Sequence, residues 1–205
     1  MRNGTVQSVI AVWSVALAVV MSAMPRVAAQ APPAEVPALQ ADGTVAFPAS
    51  YREWMFLSAG LGMNYGPNAP AAGAPQSFTN VYVNPASYRA FMKTGAWPDR
   101  TMFVLEIRGS QSEGSINRTG HFQTGIRAIE ANVKDARLPG GWGFYNFGNK
   151  TAAVAPLPQT ATCYSCHAEN TAVEHTFVQF YPELMDVAKK MGTVKTTWKE
   201  GAPIR

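Results

Sequence analysis

The sequence predicts an α+β fold: a single domain with an antiparallel β-sheet core, flanking helices and a functional segment near the C-terminus. Three observations carry this prediction. The 205 residues are 47% hydrophobic and 11% aromatic but only 15% charged, which excludes a disordered chain and supplies one core. Short runs of aromatic and β-branched residues are separated by Gly- and Pro-rich segments, as antiparallel strands are. Segments with helix start and stop signals lie before the strands and at the end of the chain.

The first 29 residues have the pattern of a secretory signal peptide. Arg2 gives a basic start, residues 9–23 are uncharged and apolar, and residues 27–29 offer small side chains at a cleavage site. The apolar run is shorter than the ~20 residues that a membrane-spanning helix needs. An uncleaved anchor is the alternative. The sequence therefore predicts export, with the mature protein in the periplasm.

The charge balance excludes nucleic acid as a partner. The formal net charge is +4, and two of those positive charges, Arg2 and Arg26, lie in the predicted signal peptide. The remaining excess is too small for a nucleic-acid surface, and no cluster of Lys and Arg with interleaved aromatic residues occurs.

The folded domain is expected to span residues 47–205. Residues 30–46 are rich in Pro and Ala and predict a flexible leader ahead of it. Ser50 and Glu53 stand at capping-box spacing, which predicts that a helix begins there. Its apolar face would carry Tyr51, Trp54 and Met55.

Four segments have the composition of strands. They are 101–108, which has the strongest pattern, and then 78–83, 126–134 and 141–147. Segment 126–134 would also tolerate a helix. The polar residues 110–123 predict a hairpin-like excursion, and the Gly- and Pro-rich residues 60–77 predict a long loop.

Two further helices are predicted. The first has Asn84 as N-cap, Pro85 in its first turn and Gly95 just past its end. The second lies near residues 183–191, and its apolar stripe is Leu184, Val187, Ala188 and Met191.

The chemistry is concentrated in Cys163-Tyr164-Ser165-Cys166-His167, which contains both cysteines of the chain. C-x-x-C-H is the attachment pattern of c-type haem. Two thiols three residues apart lie on one helical turn and can add to the two vinyl groups of the porphyrin, and the next residue then points at the iron. The sequence therefore predicts one covalent haem c, held by Cys163 and Cys166, with His167 as the axial iron ligand.

Two other interpretations of the cysteine pair are weaker. A zinc site would need two more ligands, and His121 and His175 are the only other histidines. A redox disulfide motif usually follows a strand in a βαβ unit, whereas a Pro- and Ala-rich loop at 152–162 precedes this one. Export also suits covalent haem, which is attached outside the cytoplasm.

Several segments together resemble a known family. They are Tyr51-Arg52-Glu53-Trp54, Val81-Tyr82-Val83-Asn84, Trp97-Pro98-Asp99 with Val104-Leu105-Glu106, Gly141-Trp142-Gly143-Phe144, residues 163–170 and residues 173–182. In this order they resemble the cytochrome P-460 family over most of the mature chain. The resemblance implies a mono-haem c-type protein, commonly a homodimer, whose haem lies against an antiparallel sheet.

The resemblance implies one of two activities. True cytochromes P-460 have a lysine cross-linked to the porphyrin and oxidise hydroxylamine. In the related beta-type cytochromes c-prime the lysine is absent, an apolar residue caps the open iron face, and the haem binds nitric oxide and similar gases. By this resemblance Leu105 stands at the lysine position. Lys93 and Lys134 are the nearest lysines in the sequence; Lys93 is expected to be solvated, and Lys134 is the remaining candidate.

The same alignment gives the candidate distal residues, those on the iron face away from His167. Leu105 and its strand neighbour Phe103 are the candidate haem contacts, although ordinary core packing of Phe103, Leu105 and Ile107 is the alternative. Glu106 is expected on the opposite face of the strand, in a structural role. Glu106 and Glu130 are the candidate catalytic bases if a substrate is oxidised.

The sixth iron ligand separates the candidate functions. Met63 or Met102 as a ligand would make an electron carrier, whereas core packing is the commoner role of Met. His121 is expected to be exposed, and His175 at the surface or beside the iron ligand. The leading hypothesis is a periplasmic binder of small gases such as nitric oxide. The alternatives are a hydroxylamine-oxidising enzyme that passes electrons to a partner cytochrome, and a plain electron carrier.

Overall fold

Five segments rich in aromatic and β-branched residues become strands of one sheet. The strands are β1 (Met55–Leu61), β2 (Ser77–Val83), β3 (Met102–Gln111), β4 (Phe122–Lys134) and β5 (Trp142–Gly148). All neighbours are antiparallel, and the order in the sheet is the order in the chain. The structure is a computed structural model that describes residues 36–65, 71 and 74–201, so the predicted signal peptide at 1–29 lies outside the described residues.

The α+β prediction and its four strands are confirmed. The segment that would have tolerated a helix is the C-terminal part of β4, because Ile129, Ala131 and Val133 are buried while the residues between them are half-exposed. A period of two suits a strand, not a helix. The polar residues between β3 and β4 form the expected hairpin excursion.

The prediction that a helix begins at Ser50 is wrong. The chain makes only a short 3₁₀ turn, Tyr51–Glu53, and Ser50 makes no side-chain capping bond. The backbone becomes extended at Trp54, and β1 then pairs with β2 from Met55 onward. Strand pairing and the burial of Tyr51 and Trp54 override the local capping signal.

Three helices complete the fold: α1 (Pro85–Thr94), α2 (Thr162–Asn170) and α3 (Pro182–Met191), with two more 3₁₀ turns at Pro139–Gly141 and Val178–Phe180. Gly95 ends α1 in the left-handed conformation, as predicted, and its N–H bonds to the carbonyl of Phe91. Asn84 precedes α1, but its side chain accepts the N–H of Met102 rather than capping the helix. None of the described helices is long and apolar enough to cross a membrane.

One face of the sheet carries a packed core, and we call it the closed face. It carries Met102, Val104, Ile129, Ala131, Val133, Tyr145 and Phe147, packed under Val36, Leu39, Val45, Phe47, Tyr51 and Trp54. Residues 30–46 were predicted to form a flexible leader. Their described part, residues 36–46, instead packs against the closed face. Val45 is completely buried and forms a two-way backbone bridge with Val154, because its side chain and those of Val36 and Leu39 cover apolar sheet surface.

The opposite face, which we call the site face, is covered at one end only. Val83, Phe103 and Trp142 are buried there under α1, α3 and residues 172–181. Further along the strands the same face carries half-exposed side chains: Val81, Leu105, Ile107, Ala128 and Glu130. We call these five residues the open patch. Most of them are apolar, so the patch is a surface suited to covering by an apolar group.

Candidate haem site

Helix α2 places the three motif residues on one side of a single turn. Cys163, Cys166 and His167 stand at positions i, i+3 and i+4, which are neighbours on a helix surface. Both cysteines are free and half-buried. Burial raises the pKa of the Cys163 thiol, and the nearby Glu130 carboxylate raises it further. Tyr164 and His167 of α2 pack against the ring of Phe144, which lies on the site face of β5. The motif therefore lies over the face of the sheet that carries Glu130 and the open patch.

The His167 ring is fixed on three sides. Its Nδ1 lies 2.8 Å from the carbonyl oxygen of His175. Since a carbonyl only accepts, Nδ1 must carry the proton and Nε2 is left with a free lone pair. The rings of Phe144 and Phe177 lie 4.5 and 4.6 Å from the imidazole. This arrangement presents Nε2 as the metal-binding atom and fixes the plane of the ring.

The protonation state of His167 also suits a metal ligand. Burial lowers its pKa to about 4, and the hydrogen bond to the His175 carbonyl only partly opposes this. Because the folded-state pKa lies well below neutrality, the imidazole is uncharged at pH 7. A neutral imidazole is the form that coordinates iron.

Residue pairing in the sheet places Leu105 in the middle of the open patch. Leu105 pairs with Val81 of β2 on one side and with Glu130 of β4 on the other, so the three side chains lie in a row on the site face. Phe103 shares this face, but it lies under the covered end and packs edge-on against Trp97 at 4.8 Å. The structure thus brings Leu105, and not Phe103, into the open patch; both stay predictions as haem contacts.

The two candidate carboxylates occupy opposite faces of the sheet. Glu106 lies on the closed face, where Tyr51, Arg52, Asn80 and Arg108 all donate hydrogen bonds to it. Burial raises the pKa of Glu106, but these hydrogen bonds outweigh burial and lower it to about 2.

Glu130 lies in the open patch, near Cys163. Burial raises its pKa above the usual range. Of the two carboxylates, Glu130 is the one that the fold brings to the motif.

Neither of the two lysines nearest to β3 in sequence lies free in the open patch. Lys93 is exposed near the end of α1. Lys134 is on the site face, but its Nζ donates to the Glu174 carboxylate at 2.6 Å and to the Trp97 carbonyl at 2.7 Å. Position 105, where the resemblance puts a cross-linking lysine, holds an apolar side chain in the open patch.

The remaining candidate ligands are dispersed. Met102 is fully buried on the closed face, and Met63 is exposed in the loop after β1. His121 is exposed before β4. His175 contributes its backbone carbonyl to the site rather than its ring. In the described part of the chain, no three His, Cys, Asp or Glu side chains come together as a metal-ion site.

Sequence reasoning did not identify three aromatic residues as part of the site: Tyr65, Phe144 and Phe177. Phe144 was predicted only as a strand residue and as part of the family resemblance. Tyr65 stacks on Phe177 at 6.5 Å, and its hydroxyl has a raised pKa because of burial and the nearby Cys166. Phe177 contacts His167 directly. Tyr65 follows a Gly-rich stretch with no periodic pattern, so no local signal singled it out. Phe177 lay in a segment used only for the family resemblance.

The donor set is the one that a c-type haem requires: two thiols on one helical turn, a neutral imidazole with a free Nε2, and an apolar patch on the adjacent sheet. The side chains named above are already placed by packing and hydrogen bonds of the protein alone. The residues present therefore fit this group.

Comparison with known proteins agrees with this site. The family model described as Cytochrome P460 matches residues 48–178, which include the whole sheet, helix α2 and the turn that contacts His167. Among curated proteins, no sequence matches the chain. Membership of this family implies haem binding, and the match covers more than half of the chain. The chain belongs to the cytochrome P460 family and is a haem-binding cytochrome.

Proposed function

We propose that this protein is a periplasmic c-type cytochrome that carries one haem and binds small gases such as nitric oxide. The haem is attached through Cys163 and Cys166, and His167 is its axial iron ligand. A haem iron held by one imidazole supplies an open coordination position that takes nitric oxide in the ferrous state. The export assignment rests on the pattern of residues 1–29, and a homodimer is proposed from the family resemblance alone.

The observation that carries the gas-binding proposal is the composition of the open patch. Val81, Leu105, Ile107 and Ala128 offer neither an iron ligand nor a hydrogen-bond donor. Such side chains exclude water and give anions no partner, whereas a small neutral diatomic needs none. Leu105 is central in this row, between Val81 and Glu130.

Glu130 favours a second candidate, the oxidation of hydroxylamine with electrons passed to a partner cytochrome. It is a half-buried carboxylate with a raised pKa, close to Cys163. A carboxylate whose pKa is raised toward the working pH is a better proton acceptor than an ordinary one. Against this candidate stands Leu105 at the position where hydroxylamine-oxidising members have their cross-linked lysine.

The test compares Leu105→Met with Val104→Met, two neighbours on opposite faces of β3. Wild-type protein, matured in a strain that attaches haem c, should show a high-spin ferric spectrum, an ordinary pyridine haemochrome and tight nitric oxide binding on reduction. Leu105→Met should supply a thioether ligand, convert the spectrum to low spin and slow nitric oxide binding. Val104→Met should leave the spectrum and the binding rate unchanged.

Two results would overturn this ranking. An abnormal haemochrome with a lysine-containing haem peptide, together with hydroxylamine turnover that Glu130→Gln abolishes, would establish the enzyme. A low-spin wild-type spectrum that nitric oxide does not alter would establish an electron carrier.

A further inference from the structure

An ion pair connects the sheet to the turn that contacts the axial ligand. Lys134 is the last residue of β4, and its Nζ bonds to the Glu174 carboxylate and the Trp97 carbonyl at 2.6 and 2.7 Å. Both charged side chains are 26% exposed. A well-directed pair at this burial, with an additional carbonyl acceptor, is stronger than the usual exposed surface pair.

Glu174 is held in an unfavourable backbone conformation. Its φ is +48°, in the left-handed region, where the Cβ of a non-glycine residue is crowded by the carbonyl oxygen that follows it. Its other carboxylate oxygen accepts the backbone N–H of Trp97 at 3.2 Å, and its carbonyl accepts the Thr171 hydroxyl at 2.7 Å. The side-chain contacts of Glu174 therefore offset the strain and fix the turn 171–176.

The residue after Glu174 is the one that orients the iron ligand. The His175 carbonyl accepts the Nδ1 proton of His167 at 2.8 Å. The Nδ1 atom of the His175 ring is buried and finds no hydrogen-bond partner among the described residues, so no hydrogen bond from that atom fixes the His175 backbone. The position of this carbonyl is consequently set by the rest of the turn.

We propose that the Lys134–Glu174 ion pair is a positioning device for the axial ligand, which sets the strength of the His167 hydrogen bond and, through it, the electron donation of the imidazole to iron. Lys134 and Glu174 are positioning residues, since neither touches the cofactor-binding atoms. The inference rests on the proposed role of His167 as the axial ligand.

The physical link is the basicity of the imidazole. A short hydrogen bond from Nδ1–H to a fixed carbonyl makes the ring more basic and the iron–nitrogen bond stronger. Stronger donation stabilises ferric over ferrous iron and lowers the reduction potential. Without the ion pair, the strained Glu174 backbone can relax and the His175 carbonyl can move away from His167. The imidazole then becomes less basic and donates less electron density to the iron.

The experiment uses the matured, haem-loaded protein, four single variants of the ion pair and its control, the Lys134→Met/Glu174→Gln double variant, and His167→Gly. Glu174→Gln keeps the side-chain shape but removes the charge, and Lys134→Met removes the pair from the other side. Lys134→Arg is the conservative rescue. Lys189→Met is the matched control, because Lys189 forms only a 3.6 Å pair with Glu200 on the surface.

Two readouts report on the iron ligand rather than on folding. In Glu174→Gln and in Lys134→Met, the iron–histidine stretching band of the ferrous protein should move to lower frequency and the reduction potential should become more positive. The double variant should shift no further than either single one, since both remove the same pair. Lys134→Arg should restore most of the wild-type values, and Lys189→Met should match wild type.

The outcomes separate the inference from the proposed function. An iron–histidine band that is present in wild type and unmoved in both pair variants would overturn the positioning role and leave His167 as the ligand. If wild type has no such band, or if His167→Gly does not abolish it, the proposed function and the inference both fail. Thermal unfolding of each variant identifies any that do not fold. Because Lys134 lies in β4 and Glu174 in the turn, the ion pair can still be tested through one variant if the other fails to fold.

Discussion

The two faces of β3 differ in what covers them, although both are largely apolar. On the closed face Met102, Val104 and Glu106 are no more than 1% exposed, while Leu105 and Ile107 on the site face are half-exposed. The closed face is sealed by the segment before β1. The site face is sealed only at the end near α1 and α3. One strand thus supplies both the stable core and the half-exposed surface that we propose receives the haem.

The two carboxylates sharpen the same comparison. Hydrogen bonds outweigh burial at Glu106 and bring its pKa to about 2, so it is a permanent anion of the core. At Glu130 burial acts without such compensation and raises the pKa. Glu106, whose charge is satisfied by hydrogen bonds, contributes to the stability of the fold. Glu130 has a raised pKa and lies in the open patch, which makes it the better candidate for a chemical role.

The largest expected effect is the loss of stability caused by replacing Glu106 on the closed face. Glu106→Gln leaves Arg52 and Arg108 without their carboxylate, and removal of one partner from a buried charge network costs roughly 3–5 kcal/mol. Part of Arg52 is exposed, so the lower end of that range is expected. Urea unfolding of the haem-loaded protein measures the loss, and the visible spectrum should stay that of wild type. A changed spectrum at unchanged stability would contradict the separation of the two faces.

Acid titration supplies the control for this variant. Because the pKa of Glu106 is lower in the folded protein than its ordinary value, the carboxylate stabilises the fold above pH ~4.5. That contribution is lost as the pH falls from there toward the folded pKa of about 2. Glu106→Gln should lose less free energy of unfolding than wild type over this range. Parallel curves for the two proteins would show that Glu106 is not the group responsible.

A smaller effect separates two adjacent residues on opposite faces. Val104 is fully buried, so Val104→Ala should lower the free energy of unfolding by about 2 kcal/mol and leave the nitric oxide association rate unchanged. Leu105→Ala removes more carbon atoms from a half-exposed position; it should cost only about 1 kcal/mol and raise that rate several-fold. Stopped-flow mixing and urea unfolding measure both quantities. Equal rates in the two variants would remove Leu105 from the gas pathway.

Much of the fold was predictable because its signals are local. Alternation along residues 101–108 and 126–134, and the Pro85 and Gly95 punctuation of α1, depend on neighbours in the chain. The helix expected at Ser50 and the leader expected to residue 46 were wrong for one shared reason. Both segments are governed by contacts with distant strands: Met55 pairs with Val83, and Val45 bridges Val154. No local pattern reports such pairings.

The candidate site divides in the same way. Cys163, Cys166 and His167 could be named from spacing alone, because one helical turn brings them together. The carbonyl of His175, the rings of Phe144 and Phe177, and the position of Tyr65 depend on how the turn and the first loop pack on α2. The family resemblance predicted Leu105 as a distal residue, and only the strand pairing in the structure shows that it lies beside Glu130.

The most direct test of the account is acid–acetone extraction of the purified, matured protein. The account predicts that the haem of wild type stays with the polypeptide, and that Cys163→Ser/Cys166→Ser protein gives up any haem it holds. Wild-type haem that passes into the acetone, or a double variant that retains its haem, would contradict the covalent attachment on which the proposed function is built.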